Sequence, residues 1–217
     1  MLIKMEEKDM LKTGTTTVGL ICKDGVVLAA DRRATAGFFI ASKKIEKVLK
    51  ITDDIAVTIA GTVSDIQLLV KLIKAELKLK QIRTSKVSTV KEAVNLLSGI
   101  VYNNIRSFSL IPGITHFIVG GRDNQGYHIY DLSPDGAIEE IENFVSSGSG
   151  SVMVYGLLEA AYKENMSVKD GVELAVKGIN SAIQRDAASG NGVVVYTVTD
   201  KGVKKVLDKR LDIKLEA

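Results

Sequence analysis

The sequence has little of what marks a secreted, membrane-bound or nucleic-acid-binding protein. Cys22 is the only cysteine, so no internal disulfide can form and a reducing compartment is expected. No apolar run approaches the roughly 20 residues that span a membrane, and the first residues lack the apolar stretch of a signal peptide. The net charge is only +3, without a long basic run. We therefore expect a cytoplasmic protein with neither a membrane nor a nucleic acid as partner.

The motifs of common hydrolases and cofactor enzymes are also missing. There is no HExxH, no CxxC, no G-x-S-x-G and no phosphate-binding lysine loop. The two histidines, His116 and His128, stand in strand-like runs, where a structural role is more common than a catalytic one. Histidines and carboxylates do not cluster as metal ligands would. We expect neither a metal nor a cofactor, and hydrolase chemistry would need a base other than histidine.

The scarcity of proline bears on domain organisation. Only Pro112 and Pro134 are present, and no low-complexity linker separates two halves. Residues 1–14 are polar and show no periodicity, so they are interpreted as a flexible or removable leader. The sequence therefore predicts one domain, residues 15–217, behind that leader.

Hydrophobic patterns predict strands, two helices, strands, two helices and strands again. Asp24-Gly25 between two apolar runs indicates a hairpin, and helices are expected to begin after Thr89 and Ser167. The run 137–145 is expected to continue the preceding strands, and the charged tail from Asp208 is expected to be loose. Because the strands come as consecutive hairpins, we expect an α+β fold with two mostly antiparallel sheets. A helix pair would cover each outer face, which is a four-layer αββα sandwich.

A glycine followed by three threonines, Gly14 to Thr17, suggests a more specific chemistry. Threonine is β-branched, so a strand alone would explain the run. If the chain were cut after Gly14, however, Thr15 would carry both a hydroxyl and a free α-amine. That amine has a pKa of about 7.7–8.0 and could accept the hydroxyl proton near neutral pH. Nucleophile and base would then belong to one residue, which would be inactive until the chain is cut.

Such a site needs a cation, a carboxylate and oxyanion donors near the hydroxyl. Asp31 closes the second predicted strand and could return to the level of Thr15. Lys47 lies in the next strand signal, and Gly61 ends a strand just before a helix. Taken singly, these residues suit a turn, a solvent-exposed surface and another turn. Only their combination favours a catalytic interpretation.

Several longer segments resemble proteasome beta subunits of the archaeal type. They are "GTTTVGL", "KDGVVLAADRRAT", "TIAGTVSDIQLLV", "SGSGS", "YGLLEAAY" and "SAIQRDAASGNGV". The resemblance covers the chain from Thr15 to about Val206. It implies an N-terminal nucleophile hydrolase, namely a threonine protease made as a precursor. Self-cleavage between Gly14 and Thr15 would activate it.

The resemblance also implies roles for individual residues. Thr15 would be nucleophile and, through its amine, base; Lys47 would lower the pKa of the hydroxyl, and Asp31 would orient Lys47. The Gly61 N–H would receive the oxyanion. The backbone of Thr35 would pair with an extended peptide substrate. Ser149, Asp186 and Ser189 would hold the amine and a nucleophilic water.

The same resemblance implies a pocket for the substrate residue before the cut bond. Most of its positions are apolar and none is charged, so cleavage after hydrophobic residues is expected. The matching positions are Ala34, Ile45, Leu49, Ile59, Val63 and Gln67.

Partners follow from the resemblance alone. Such subunits form heptameric beta rings stacked between rings of proteasome alpha subunits, and an ATPase regulatory cap feeds in unfolded polypeptides. Two alternatives stay open. One is a structural or partner-dependent beta subunit that keeps its leader. The other is a related terminal-nucleophile amidase that acts on small molecules.

Overall fold

The computed structural model describes residues 14–109 and 113–211. The predicted leader therefore lies outside the described residues except for Gly14. Two five-stranded antiparallel sheets form the centre of the molecule. The first contains, in spatial order, β10 (Phe144–Gly148), β1 (Thr16–Cys22), β2 (Gly25–Asp31), β11 (Gly192–Thr199) and β12 (Gly202–Arg210).

The second sheet keeps the order of the chain. It contains β5 (Val48–Lys50), β6 (Ile55–Gly61), β7 (Thr115–Asp123), β8 (Gly126–Leu132) and β9 (Ile138–Ile141). A separate short hairpin, β3 (Ala34–Ala36) and β4 (Phe39–Ser42), follows β2. The sequence patterns did not predict this hairpin.

Four helices complete the described part of the chain and cover the two outer faces. They are α1 (Val63–Thr84), α2 (Val90–Arg106), α3 (Ser151–Ala161) and α4 (Val168–Arg185). The first pair packs on the second sheet and the second pair on the first sheet. A third apolar cluster, including Leu28, Ile118 and Val194, fills the space between the sheets. The predicted α+β sandwich with four αββα layers is confirmed.

Both predicted helix starts are confirmed. Thr89 accepts the Glu92 N–H through its hydroxyl, and the Glu92 carboxylate returns to the Thr89 N–H, which satisfies two free donors at the start of α2. Ser167 accepts the Asp170 N–H at the start of α4. In residues 14–109 and 113–211, no helix has the length and apolar character needed to cross a membrane.

Strand β1 positions the threonine run. Val18 and Leu20 face the helices of the first sheet's outer side, while Gly19 leaves room for Ile118 of the opposite sheet. Thr16 and Thr17 are inside the strand and are fully buried. The strand propensity of threonine is therefore sufficient to explain Thr16 and Thr17, whereas Thr15 lies just before the strand.

Candidate active site

Thr15 lies just before β1, and two glycines let the segment between β10 and α3 approach it closely. Thr15 is buried, with 6% of its surface exposed. A Cβ on Gly148, whose φ is +90°, would come within 2.0 Å of the Thr15 carbonyl oxygen. A Cβ on Gly150 would come equally close to the Thr16 hydroxyl, at 2.0 Å. The "SGSGS" segment can therefore wrap the start of β1 only because these positions lack side chains.

The peptide bond between Gly14 and Thr15 is surrounded by polar groups. The Thr15 hydroxyl donates to the Gly14 carbonyl oxygen at 2.7 Å, and Lys47 Nζ approaches the same oxygen at 3.4 Å. The Gly14 N–H donates to the Thr35 hydroxyl at 2.9 Å. Thr35 therefore contacts Gly14 through its side-chain hydroxyl. A Cβ on Gly14 would lie 1.8 Å from the Ala188 Cβ, so the site admits only glycine without rearrangement.

Asp31, at the end of β2, is completely buried and accepts four N–H donors. Its Oδ1 accepts from Lys47 Nζ at 2.6 Å and from the Thr16 N–H at 3.0 Å. Its Oδ2 accepts from the N–H groups of Arg33 and Gly190, each at 2.9 Å. The carboxylate therefore connects β1, β2, the Lys47 segment and the loop after α4.

Lys47 is the buried cation of the site. Burial lowers its pKa below the usual range, while Asp31 and, more weakly, Asp186 favour its charged form. Arg33 acts in the same direction as burial, by like-charge repulsion. A lysine with a lowered pKa gives up a proton more readily than a surface lysine does. Its lowered pKa therefore suits Lys47 to proton movement beside Thr15.

Ser149, Asp186 and Ser189 come together beside the start of β1. Ser149 Oγ accepts the Thr15 N–H at 3.3 Å and donates to Asp186 Oδ2 at 2.6 Å. Ser189 Oγ lies 2.6 Å from the same carboxylate oxygen and 2.6 Å from the Thr16 hydroxyl. The nitrogen that would become the α-amine is thus already connected to a serine–aspartate pair.

A small pocket of about 30 Å³ opens beside Gly14 and Thr15. Gly61, with φ +121°, forms part of its wall, and a Cβ there would meet the Ile114 carbonyl oxygen at 2.1 Å. Leu49 packs instead against the core under α1 and α2, and Gln67 is exposed on α1. The other lining residues are Ala34, Thr35, Ile45, Lys47, Ile59, Val63 and Ile66.

Sequence reasoning missed several residues of this site. Ile66 is an apolar residue of α1 with nothing in the sequence to place it at the pocket, and Ala188 carried no signal for its contact with Gly14. Thr16 had only its strand propensity to suggest a role. Arg33 follows Arg32 directly, and nothing in the sequence separates their functions.

The two histidines have structural partners in the second sheet. His116 Nε2 lies 2.6 Å from Asp131, and His128 lies between Asp123 and Glu140. Within the described ranges, no three His, Cys, Asp or Glu side chains are placed to hold a metal ion.

Comparison with known proteins agrees with this geometry. The family model described as "Proteasome subunit" matches residues 11–198. The chain is 46% identical to "Proteasome subunit beta" of Ferroglobus placidus over 209 residues, 96% of this chain and 97% of the relative. It is 47% identical to the protein of that name from Archaeoglobus profundus over 208 residues, covering 95% and 94%. For Methanopyrus kandleri the identity is 40% over 209 residues, covering 96% and 98%. The chain belongs to the proteasome subunit family, as a beta subunit of the archaeal type.

Proposed function

We propose that this chain is a catalytic beta subunit of the 20S proteasome core particle, acting as a threonine endopeptidase on unfolded proteins. Family membership already makes it a component of a protease in general terms. One observation carries the more specific proposal. The Thr15 hydroxyl and the Lys47 ammonium both lie within hydrogen-bond distance of the Gly14 carbonyl oxygen, at 2.7 and 3.4 Å. Asp31 pairs with Lys47 at 2.6 Å.

Activation would be an intramolecular acyl transfer. Thr15 Oγ attacks the Gly14 carbonyl carbon, and an O–C bond forms while the C–N bond breaks. The hydroxyl proton ends on the departing nitrogen, beside Ser149. Lys47 stabilises negative charge on the carbonyl oxygen during the attack. Water then hydrolyses the ester, releasing residues 1–14 with a Gly14 carboxylate and restoring the Thr15 hydroxyl on the domain 15–217.

The mature residue would cleave substrates by the same atoms. Its neutral α-amine takes the hydroxyl proton as Oγ attacks a substrate carbonyl, since an α-amine with a pKa of about 7.7–8.0 is partly neutral near pH 7. Ser149 already contacts that nitrogen, and Asp186 orients Ser149. Donors along the wall at Gly61 would receive the oxyanion. Lys47 would keep the hydroxyl pKa low.

Substrate preference would follow from the pocket. Its side walls are apolar, with Ala34, Ile45 and Ile59 beside the Lys47 stem. An arginine before the cut bond would lose its hydration there without gaining an anionic partner, and Lys47 in the lining would repel its charge. Steady-state hydrolysis of matched peptides with Leu, Tyr, Arg or Asp at that position tests this proposal. A preference for Arg would contradict it.

Assembly and location are proposed from the family. The relatives are named proteasome beta subunits, which supports beta rings combined with proteasome alpha subunits. Heptameric rings, an ATPase regulatory cap that delivers unfolded polypeptides and a cytoplasmic location complete the proposal. Electron microscopy of the chain co-expressed with alpha subunits would count the subunits of each ring.

Intact mass and N-terminal sequencing of the assembled particle test the catalytic proposal. The wild-type chain is expected to begin at Thr15 and to hydrolyse both peptides and long unfolded proteins. Thr15→Ala is expected to keep its leader and to be inactive. Thr84→Ala, which removes an exposed hydroxyl at the end of α1, serves as the matched control and should behave as wild type.

Other outcomes would point elsewhere. Active particles that still carry Met1 on every beta chain would refute the mechanism. A retained leader without activity would favour the structural or partner-dependent subunit. Hydrolysis of small amides alone would favour the amidase.

A further inference from the structure

Arg33 holds both ends of the loop that carries part of the site. The loop runs from Ala187 to Asn191, between the end of α4 and the start of β11. Arg33 Nη1 donates to the Ala187 carbonyl oxygen at 2.7 Å, and Arg33 Nε donates to Asn191 Oδ1 at 2.9 Å. One planar guanidinium thus bridges the first and last residues of the loop.

The residues between these two contacts face the reacting groups. Ser189 is fully buried and contacts Asp186 and Thr16. The Gly190 N–H donates to Asp31 Oδ2 at 2.9 Å. Each of these contacts requires the loop to lie against the ends of β1 and β2.

The guanidinium also packs against the loop backbone. A Cβ on Gly190 would lie 2.3 Å from Arg33 Nη2 and 2.4 Å from its Cζ, so the group rests directly on this glycine. Asn191 has φ +61°, a left-handed conformation that costs free energy for most residues but that asparagine tolerates. The contact with Arg33 fixes the side chain of this residue, which is where the loop turns into β11.

We propose that Arg33 is a positioning residue for threonine proteolysis, which acts by clamping the Ala187–Asn191 loop so that Ser189 and Gly190 meet Asp186 and Asp31. The inference rests on the proposed catalytic function. We assign Arg33 no catalytic role, because its guanidinium donates to Ala187 and Asn191 of the loop and not to the reacting groups. Lysine cannot replace it, since a single ammonium does not reproduce the fixed fork that reaches two acceptors.

Arg33 contributes its charge separately from its shape. The charged groups that act on Lys47 are Asp31 and Asp186, which favour its ammonium form, and Arg33, which disfavours it. Removing the Arg33 charge therefore raises the pKa of Lys47. If catalysis uses the Lys47 ammonium, the alkaline limb of activity then moves to higher pH. Arg33→Lys keeps the charge and loses the fork, while Arg33→Met loses both.

Peptide hydrolysis by assembled particles containing Arg33→Lys, Arg33→Met or Asn191→Gly tests the inference. We expect Arg33→Lys to lower kcat about tenfold or more with KM changed by less than about threefold, because misplacement of the site impairs the reacting geometry more than substrate binding. Asn191→Gly removes one acceptor while suiting the positive φ, and should lower kcat in the same way. The double variant should fall no further than Arg33→Lys alone, since the two residues share one contact.

Arg122→Lys is the matched control, because Arg122 also forms an ion pair, with Asp54, but lies outside the site. Its kcat should equal that of wild type. In a pH–rate profile, the alkaline limb of Arg33→Met should move upward while that of Arg33→Lys stays in place. A loss of stability alone would lower the apparent kcat by reducing the number of competent sites, but it would not move this limb.

Wild-type kcat in both Arg33→Lys and Asn191→Gly would overturn the inference. If Arg33→Lys does not assemble, Asn191→Gly decides: a wild-type kcat there overturns the inference, and a lowered kcat with normal KM supports it. An inactive wild-type particle would instead refute the proposed function and this inference with it. Active wild type, inactive Thr15→Ala and unaffected Arg33 variants would refute this inference only.

Discussion

The four donors around Asp31 predict that its replacement by asparagine destabilises the fold more than removal of its lysine partner. A carboxylate accepts on both oxygens, whereas an asparagine amide accepts on one and donates from the other. In Asp31→Asn, two of the four N–H donors would face an NH₂ group. Either the pair from Thr16 and Lys47 or the pair from Arg33 and Gly190 would be lost.

The magnitude follows from these contacts. Two buried donors without acceptors cost about 1–3 kcal/mol each, and Lys47, only 3% exposed, also loses its counter-charge. We therefore expect Asp31→Asn to lower the free energy of unfolding by about 4 kcal/mol. Lys47→Met removes one donor, and three backbone N–H groups still stabilise the carboxylate. We expect a loss of about 2 kcal/mol.

Denaturant unfolding of the unassembled chain measures both values. All variants carry Thr15→Ala, so that every chain keeps the same N-terminus. Lys50→Met is the control, because its pair with Asp53 is on the surface and should contribute nothing measurable. If Lys47→Met proves at least as destabilising as Asp31→Asn, the ion pair dominates over the backbone donors and the reasoning is refuted.

Three further predictions concern single positions. Gly14→Ala should slow loss of the leader, because its Cβ would meet Ala188. Intact mass over time measures the rate, and Ala188→Gly in the same chain should restore part of it. An unchanged rate in Gly14→Ala would contradict the steric argument. The pKa of Lys47 is lowered by burial, so activity that needs its ammonium should decline with rising pH below 10.5; a pH–rate profile that stays flat to that value would exclude this role. Burial raises the pKa of Cys22 to about 12, so at pH 8 its thiolate is about a thousandfold rarer than that of an ordinary thiol, and iodoacetamide should label it only after unfolding.

Elements that carry their own local signal could be predicted from the sequence. The helix starts at Thr89 and Ser167 depend on residues three apart, so the necessary information is local. The β1–β2 hairpin likewise has Asp24-Gly25 in its turn. These signals were sufficient to give the layer order of the fold.

The β3–β4 hairpin could not be predicted because it is too short for periodicity to show. Its strands contain three and four residues, and Phe38 and Phe39 at the turn are exposed, contrary to the usual apolar pattern. The run from Ala137 to Val145 posed a different problem. It contains β9 and the first two residues of β10, and these two strands belong to different sheets. The change occurs at Asn143, whose carbonyl accepts the Ile21 N–H of the other sheet, a partner that is distant in sequence.

The expectation of a loose tail from Asp208 was wrong as far as Arg210. Strand β12 continues to Arg210, and Asp208 pairs at 2.7 Å with Arg32, which is buried. The sequence could not separate the roles of Arg32 and Arg33, because each binds a partner more than 150 residues away. Arg32 pairs with Asp208, and Arg33 donates to Asn191. Residues 212–217 lie outside the described part of the chain.

The residues of the site also divide into those that the sequence indicated and those that only the structure places. The resemblance indicated Thr15, Asp31 and Lys47, and the structure brings these three together. It could not show that Leu49 packs under the helices while Ile66 reaches the pocket, since both are apolar residues in regular elements. Contacts between loops, such as Gly14 with Ala188, depend on distances that no sequence period encodes.

The position of β1 inside its sheet has a consequence for any chain end created at Thr15. The next residues pair on both sides, Thr16 with Gly148 of β10 and Thr17 with Ala30 of β2. A new terminus there would be anchored from its second residue onward and could not fray as free ends usually do. The entropy of ordering the nucleophile would thus be lost during folding, before scission, and the cut itself would add a charge without requiring the backbone to find a new place.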